Sequence, residues 1–216
     1  MMRFNEVFAR NILSTVFGNL YGPIEVRDKP DLWCIEKNIG IEVTHCINER
    51  EAEGLNLLLQ VLNNGGKGQE RNIERLLQLG YDFTPDQFWV DNGPQMQIKE
   101  TPVDLLIKTI QLKTEKLNST KSNYQKMDRY DLFVNSTISL SEYGKLFDLA
   151  QRVAKELASG EGNRFTRVYL LTLENKLIVM ENTIQSVREY FIPPLILESC
   201  QKEARKESRK MKNEQT

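Results

Sequence analysis

The sequence predicts an α/β sandwich in which one central mixed sheet is flanked by helices. Segments of strand-like and helix-like pattern interleave in the order α, β, β, β, α, α, insertion, α, β, α, β, β, tail. Three short strand candidates follow one another near the start, and long helices come behind them. A chain of 216 residues that is 40 % apolar and 27 % charged has the make-up of a globular protein with a sizeable core.

Residues 4 to about 20 place Phe4, Val7, Phe8, Ile12, Val16 and Leu20 at helical spacing, and Gly22-Pro23 stops the pattern. Strands are expected at Ile24 to Arg27, Asp31 to Glu36 and Ile39 to Ile47, the last rich in β-branched residues. A helical period resumes from Glu49 to about Leu62 and is closed by Asn63-Asn64-Gly65-Gly66; a short helix near Gln69 to Leu79 ends at Gly80. Residues 81–101, with their aromatics and the turn signal Asp91-Asn92-Gly93-Pro94, read as an inserted hairpin or loop. Thr101-Pro102-Val103-Asp104 has the hydroxyl, proline and acid of a helix start, and that helix is expected to run to about Tyr124. A strand at Tyr130 to Val134, a helix at Ser141 to Ala158, and a hairpin of Thr166 to Thr172 with Lys176 to Met180 complete the pattern. Residues 1–198 thus read as a single domain, and 199–216 as a charged tail whose mixed signs at helical spacing suggest a solvated or frayed helix.

Composition narrows the function classes. The formal charge of -1 carries no global preference for nucleic acid, so affinity for phosphate has to come from local patches. No stretch of about 18 apolar residues suggests a membrane span, and the opening residues do not resemble a secretory signal. Cys34, Cys46 and Cys200 show no paired spacing, which favours reduced thiols and a cytoplasmic protein. His45 is the only histidine; with too few ligands for a zinc site and no nucleophile motif, it reads as structural. The segment Asn63 to Gly68 lacks the phosphate-loop pattern and reads as a helix connection.

The chemistry-bearing feature is a pair of acids. Asp31 stands at the start of the second strand candidate and Glu42 inside the third, between Ile41 and Val43. Side chains alternate along a strand, so Glu42 and Thr44 share one face. Asp31 and Glu42 on neighbouring strands can converge on one hard cation, because Mg²⁺ needs only one or two carboxylates besides water and substrate oxygens.

Pro30-Asp31 followed by Gly40-Ile41-Glu42-Val43-Thr44 resembles the PD-(D/E)XK nuclease superfamily, whose restriction-endonuclease-like core has a similar α, β, β, β, α, β order over residues 4 to 135. The resemblance implies phosphodiester hydrolysis in nucleic acid, DNA before RNA, with Mg²⁺ or Mn²⁺ held by Asp31 and Glu42. By analogy it is also compatible with a homodimer. Thr44 departs from the pattern, which expects a lysine; a neutral hydroxyl does not replace an ammonium. Either the cation has been lost, leaving a protein that binds nucleic acid or a partner without cutting, or another element supplies it.

The replacement is sought between residues 103 and 134, where basic residues outnumber acidic ones. Lys113 and Lys116 lie three apart and are the preferred candidates over Lys108; with Leu117 and Tyr124 they resemble a segment of diverged members of the superfamily. Glu6, on the first helix, is a candidate third acid. Tyr81, Phe83, Phe88 and Trp89 fit base stacking, a partner contact or core filling. A protein built for interaction through this aromatic insertion and the charged tail is the remaining reading, of a different class.

Overall fold

The computed structural model describes residues 3–46, 53–54, 56–58, 60–61, 70–79, 101–120, 123–159, 161–182 and 187–213. The chain divides into a unit made of residues 1–46 and 102–216 and a second unit, residues 47–101. The expected segment 49–62 falls only in part among the described residues. The turn at 63–68, the insertion at 81–100 and its four aromatics lie outside them.

The first unit is an α/β sandwich on a seven-stranded mixed sheet whose spatial order is the chain order, β1 to β7. The strands are β1 (Ile24–Val26), β2 (Leu32–Cys34), β3 (Ile39–Cys46), β4 (Arg129–Ser136), β5 (Phe165–Leu171), β6 (Lys176–Glu181) and β7 (Arg188–Phe191). β3 pairs parallel with β4, and β4 with β5, while the outer pairs are antiparallel. Parallel neighbours need crossovers, and helices α3 (Pro102–Asn118) and α4 (Leu146–Ala158) lie in those two connections.

Both crossover helices cover one face of the sheet. Leu106, Ile110 and Leu117 of α3 and Leu149, Val153 and Leu157 of α4 pack there on Leu132, Val134, Val168, Leu170 and Ile178. The opposite face is covered by α1 (Phe4–Phe17) and α5 (Pro194–Asn213), against Ile39, Ile41, Val43, Phe133 and Val179. With both faces covered, the central strands read as near-continuous apolar runs, and β3 is buried over most of its length.

Several elements differ from the expectation. β2 ends at Cys34, and Ile35–Lys37 form a 3-10 turn closed by Asn38 at φ 48°. α3 stops at Asn118, and the chain on to β4 is a loop. The helix expected from Ser141 is split: Leu140–Tyr143 is a 3-10 turn capped by Ser139 and Glu142, and Gly144 at φ 76° separates it from α4. Of the tail read as a solvated or frayed helix, residues 199–213 belong to α5, a continuous helix of 20 residues. Cys200, Ala204 and Ser208 recur every four residues and are buried, and their small side chains bring α5 close to α1. Arg10 fixes that contact with two hydrogen bonds to Glu207, 2.9 and 2.6 Å.

β7 has no counterpart in the sequence reading. Its side chains are largely exposed, and Arg188–Glu181 and Lys176–Glu189 ion pairs tie it to β6, which keeps a charged edge on the sheet.

In the second unit, α2 (Glu70–Gln78) buries Leu76, which clusters with Val61 and Leu79. Arg75 holds Glu53 through hydrogen bonds of 2.7 and 3.1 Å. Among the described residues no helix is long and apolar enough to cross a membrane.

Candidate active site

Glu42 occupies the middle of β3 on the face covered by α3, with 1 % of its surface exposed. A carboxylate so placed requires a partner, since an unpaired buried charge is expensive. Lys113 is that partner: its Nζ lies 3.3 Å from Glu42 Oε2 and 3.4 Å from the Val43 carbonyl oxygen. The helix explains the reach. Leu106, Ile110, Lys113 and Leu117 follow each other at spacings of a core-facing stripe, so Lys113 stands where an apolar residue would otherwise pack.

Asp31 is brought in by the end of β2. The last β2–β3 pair at that end is Leu32 with Ile41, so the ladder stops before Val43. Asp31 completes the edge instead: its Oδ2 accepts the Val43 N–H at 2.8 Å. Val43 thus has its N–H taken by Asp31 and its carbonyl by Lys113, and the two functional side chains meet around one residue. Burial, and next the charge of Glu42, push the Asp31 carboxyl up to about 6; the Val43 hydrogen bond and Lys113 act the other way.

Gly40 makes room for this arrangement. A Cβ there would stand 2.6 Å from Pro30 Cγ and 3.1 Å from Met127 Cγ, so only glycine lets the Asp31 turn and the loop before β4 close over β3. The same two loops are joined by a hydrogen bond from Gln125 N to Lys29 O, 3.2 Å.

Of the other candidates, Lys116 is exposed and makes no ion pair with Asp31 or Glu42 among the described residues. It sits one step off the buried stripe, so the three-residue spacing does not bring it to Glu42 as it does Lys113. Lys108 is exposed as well, Thr44 is half-buried, and His45 is exposed at the end of β3. Partial desolvation of the ring and the charge of Lys113 lower the His45 imidazole, and Glu6 opposes them. Glu6, half-buried in the first turn of α1, also raises Asp31, and its Oε2 is buried with no hydrogen-bond partner. The three cysteines are buried and free.

Tyr124 is a member of the site to which the sequence assigned no role. It lies in the loop between α3 and β4, its ring edge-on to Tyr130 with centroids 6.5 Å apart. Burial, then Glu42, and further Asp31 and Asp28 all raise its phenol, so it stays a neutral donor. Its hydroxyl lies beside the Glu42 carboxylate, with which it makes no well-formed hydrogen bond.

These donors suit a hard divalent cation. Each carboxylate has one oxygen committed, Asp31 Oδ2 to Val43 and Glu42 Oε2 to Lys113, and Glu42 Oε1 makes no well-formed hydrogen bond among the described residues. Among the described residues no group of three or more His, Cys, Asp or Glu side chains forms a cage of its own. Two carboxylates, completed by water and substrate oxygens, match Mg²⁺ or Mn²⁺ better than zinc.

On the other face of the sheet lies a second polar cluster. Asp131, fully buried, accepts from Arg129 at 2.9 Å and from the Tyr169 hydroxyl at 3.3 Å. Arg167 donates to the Tyr21 and Tyr169 hydroxyls at 2.7 and 3.1 Å and pairs with Glu181 at 2.5 Å. Burial pushes Asp131 up to about 6 against the pull of both arginines. Its two acids and two arginines balance in charge, and the cluster knits β4, β5 and β6 to the residues before β1.

No family model, no curated protein and no solved structure matches the chain, so the fold and the geometry of Asp31, Glu42 and Lys113 are what bear on its function.

Proposed function

We propose that the protein is a metal-dependent nuclease of the PD-(D/E)XK type that hydrolyses phosphodiester bonds in nucleic acid, DNA before RNA. The observation that carries this reading is the approach of Lys113 to Glu42, 3.3 Å, from the helix that crosses from β3 to β4. It supplies the ammonium that Thr44 lacks, at the acid where the resemblance expects it. The order α1, β1, β2, β3, α3, β4 is in keeping with the same superfamily, with α2 in the second unit.

In this reading Asp31 and Glu42 hold Mg²⁺ or Mn²⁺, which when bound supplies charge for the phosphate and acidity for an attacking water. Lys113 contributes a fixed positive charge. With 19 % of its side chain exposed it is partly desolvated, so its field acts on a phosphate oxygen with less screening than a surface lysine has. Val43 holds Asp31 and Lys113 through its backbone, which sets their mutual geometry before substrate arrives.

The test is cleavage of labelled DNA and RNA with Mg²⁺, Mn²⁺ or chelator, comparing the wild type with Glu42→Ala and Lys113→Ala. Metal-dependent cleavage lost in both variants is the expected result. Cleavage that persists in Glu42→Ala would reject the site, and a wild type that binds nucleic acid without cutting would identify a binding relative.

A further inference from the structure

α5 carries its charges unevenly. The buried Cys200, Ala204 and Ser208 fix which side of the helix faces α1. With about 3.6 residues per turn, Lys202, Arg205, Lys206 and Arg209 fall within an arc of about 100° on the opposite side. All four are exposed. The acids of the same stretch, Glu203 and Glu207, fall outside that arc, and Glu207 is held by Arg10 of α1 at 2.6 Å. Among the described residues Arg205, Lys206 and Arg209 make no ion pair, and Lys202 pairs with the exposed Glu198 at 2.7 Å. A pair so exposed adds little stability and is readily exchanged for another anion.

This face does not serve the helix itself. Lys202 has like charges three and four residues on, in Arg205 and Lys206, and Arg209 closes both rows, which costs a helix stability. The helix dipole welcomes cations only in the last turn, and Lys202 and Arg205 stand well before it. On α4, by contrast, Arg152 stands between Asp148 and Glu156 at four-residue spacing, the alternation that a solvated helix favours.

We propose that the outward face of α5, with Lys202, Arg205, Lys206 and Arg209, binds the phosphate backbone of nucleic acid. From Lys202 to Arg209 the stripe runs ~10 Å along the helix, which spans roughly three phosphates of one strand of a duplex. The two guanidinium forks match phosphate oxygens two at a time, and the lysines add point charges. Every exposed side chain between Gln201 and Lys210 is polar, so the face has nothing to insert into lipid, and this favours nucleic acid over an anionic membrane. α5 covers the face of the sheet opposite to that of Glu42, so the contact is separate from the proposed cutting site. It goes beyond the nuclease reading and needs no metal: a protein that holds nucleic acid without cutting it would use the same face.

The experiment measures binding of a labelled duplex of random sequence to the full chain in chelator, across a range of salt. The variant Arg205→Gln, Lys206→Gln, Arg209→Gln is compared with Arg205→Lys, Arg209→Lys, which keeps the charge. In the triple variant the slope of log affinity against log salt is expected to shrink by about 2–3, and affinity at low salt to fall about 100-fold. Each single change to Gln is expected to take about 0.9 from the slope, a reading that stands even if the triple variant does not fold. Melting temperatures near wild type and near wild-type binding by the lysine variant are expected with it. Unchanged slopes in the Gln variants, or a wild type that does not bind the duplex, would overturn the assignment. So would wild-type binding to phosphatidylserine vesicles that the triple variant loses while its duplex binding is unchanged, the result expected of a membrane face. A wild type that binds through α5 but does not cleave with Mg²⁺ would reject the nuclease reading and leave this assignment standing.

Discussion

Lys113 and Glu42 are 71 residues apart in the chain, and their side chains meet at 3.3 Å, the lysine 19 % and the glutamate 1 % exposed. A pair this buried is held by mutual need, and each partner is more costly to remove alone than together with the other. Lys113→Met is predicted to destabilise the protein by about 3 kcal/mol, and Glu42→Gln introduced with it to recover most of that loss. Urea denaturation of the two single variants and the double variant measures the coupling. Additive losses would mean that the pair is not a unit.

The two candidate lysines are predicted to separate in activity. Lys113→Ala should lower metal-dependent cleavage by about 100-fold or more, because its charge is fixed and partly desolvated. Lys116→Ala should stay within a few-fold, since an exposed lysine acts only as a screened contact to the backbone of the substrate. Single-turnover rates with saturating Mg²⁺ decide between them.

Asp31 makes stability depend on pH in an unusual direction. Its carboxyl is raised from 3.8 to about 6 in the folded protein, so the folded state binds the proton more tightly than the unfolded chain does. Its contribution is fully present below pH 3.8 and is lost as pH rises through about 6. In metal-free protein this loss is on the order of 3 kcal/mol, and Asp31→Asn, which retains an acceptor for Val43, should abolish it. Asp131 titrates in the same window with the same sign, so the quantity to measure is the difference between wild type and Asp31→Asn in urea midpoints from pH 4 to 8.

The same proton competes with a cation. Mg²⁺ affinity by calorimetry is predicted to rise roughly tenfold between pH 5 and pH 7, as Asp31 loses its proton around 6. An affinity flat across that range would remove Asp31 from the binding site.

Gly40→Ala is predicted to disturb fold and site together. The new methyl group would press on Pro30 at 2.6 Å and on Met127 at 3.1 Å, moving the turn that presents Asp31 and the loop that presents Tyr124. A loss of about 1–3 kcal/mol is expected, along with weaker Mg²⁺ binding. Urea denaturation and calorimetry on the same variant check both effects.

Local pattern carried much of this protein into view. The β-branched run of β3, the α1 stripe and the alternation of strands with helices each follow from short-range spacing, which is why the α/β sandwich and the acids Asp31 and Glu42 were legible. The packing of α5, read only as a solvated or frayed helix, was hidden because the stripe it buries is Cys200, Ala204 and Ser208, small or polar residues that raise no hydropathy signal. β7 was hidden because an edge strand buries little and needs no apolar alternation.

Within the site, the phase of the stripe Leu106, Ile110, Leu117 already set Lys113 apart from Lys116, since a lysine at a core-facing position must find an acid. Which acid it finds is a matter of packing. The parallel pairing of β3 with β4 lays α3 across Glu42, and the end of β2 leaves the Val43 N–H for Asp31. Tyr124 joins them because its loop is bonded to Lys29, far away in the chain. Spacing along a chain sets which face a side chain takes on its own element; the meeting of faces from different elements depends on how burial and backbone hydrogen bonds are satisfied across the whole sheet.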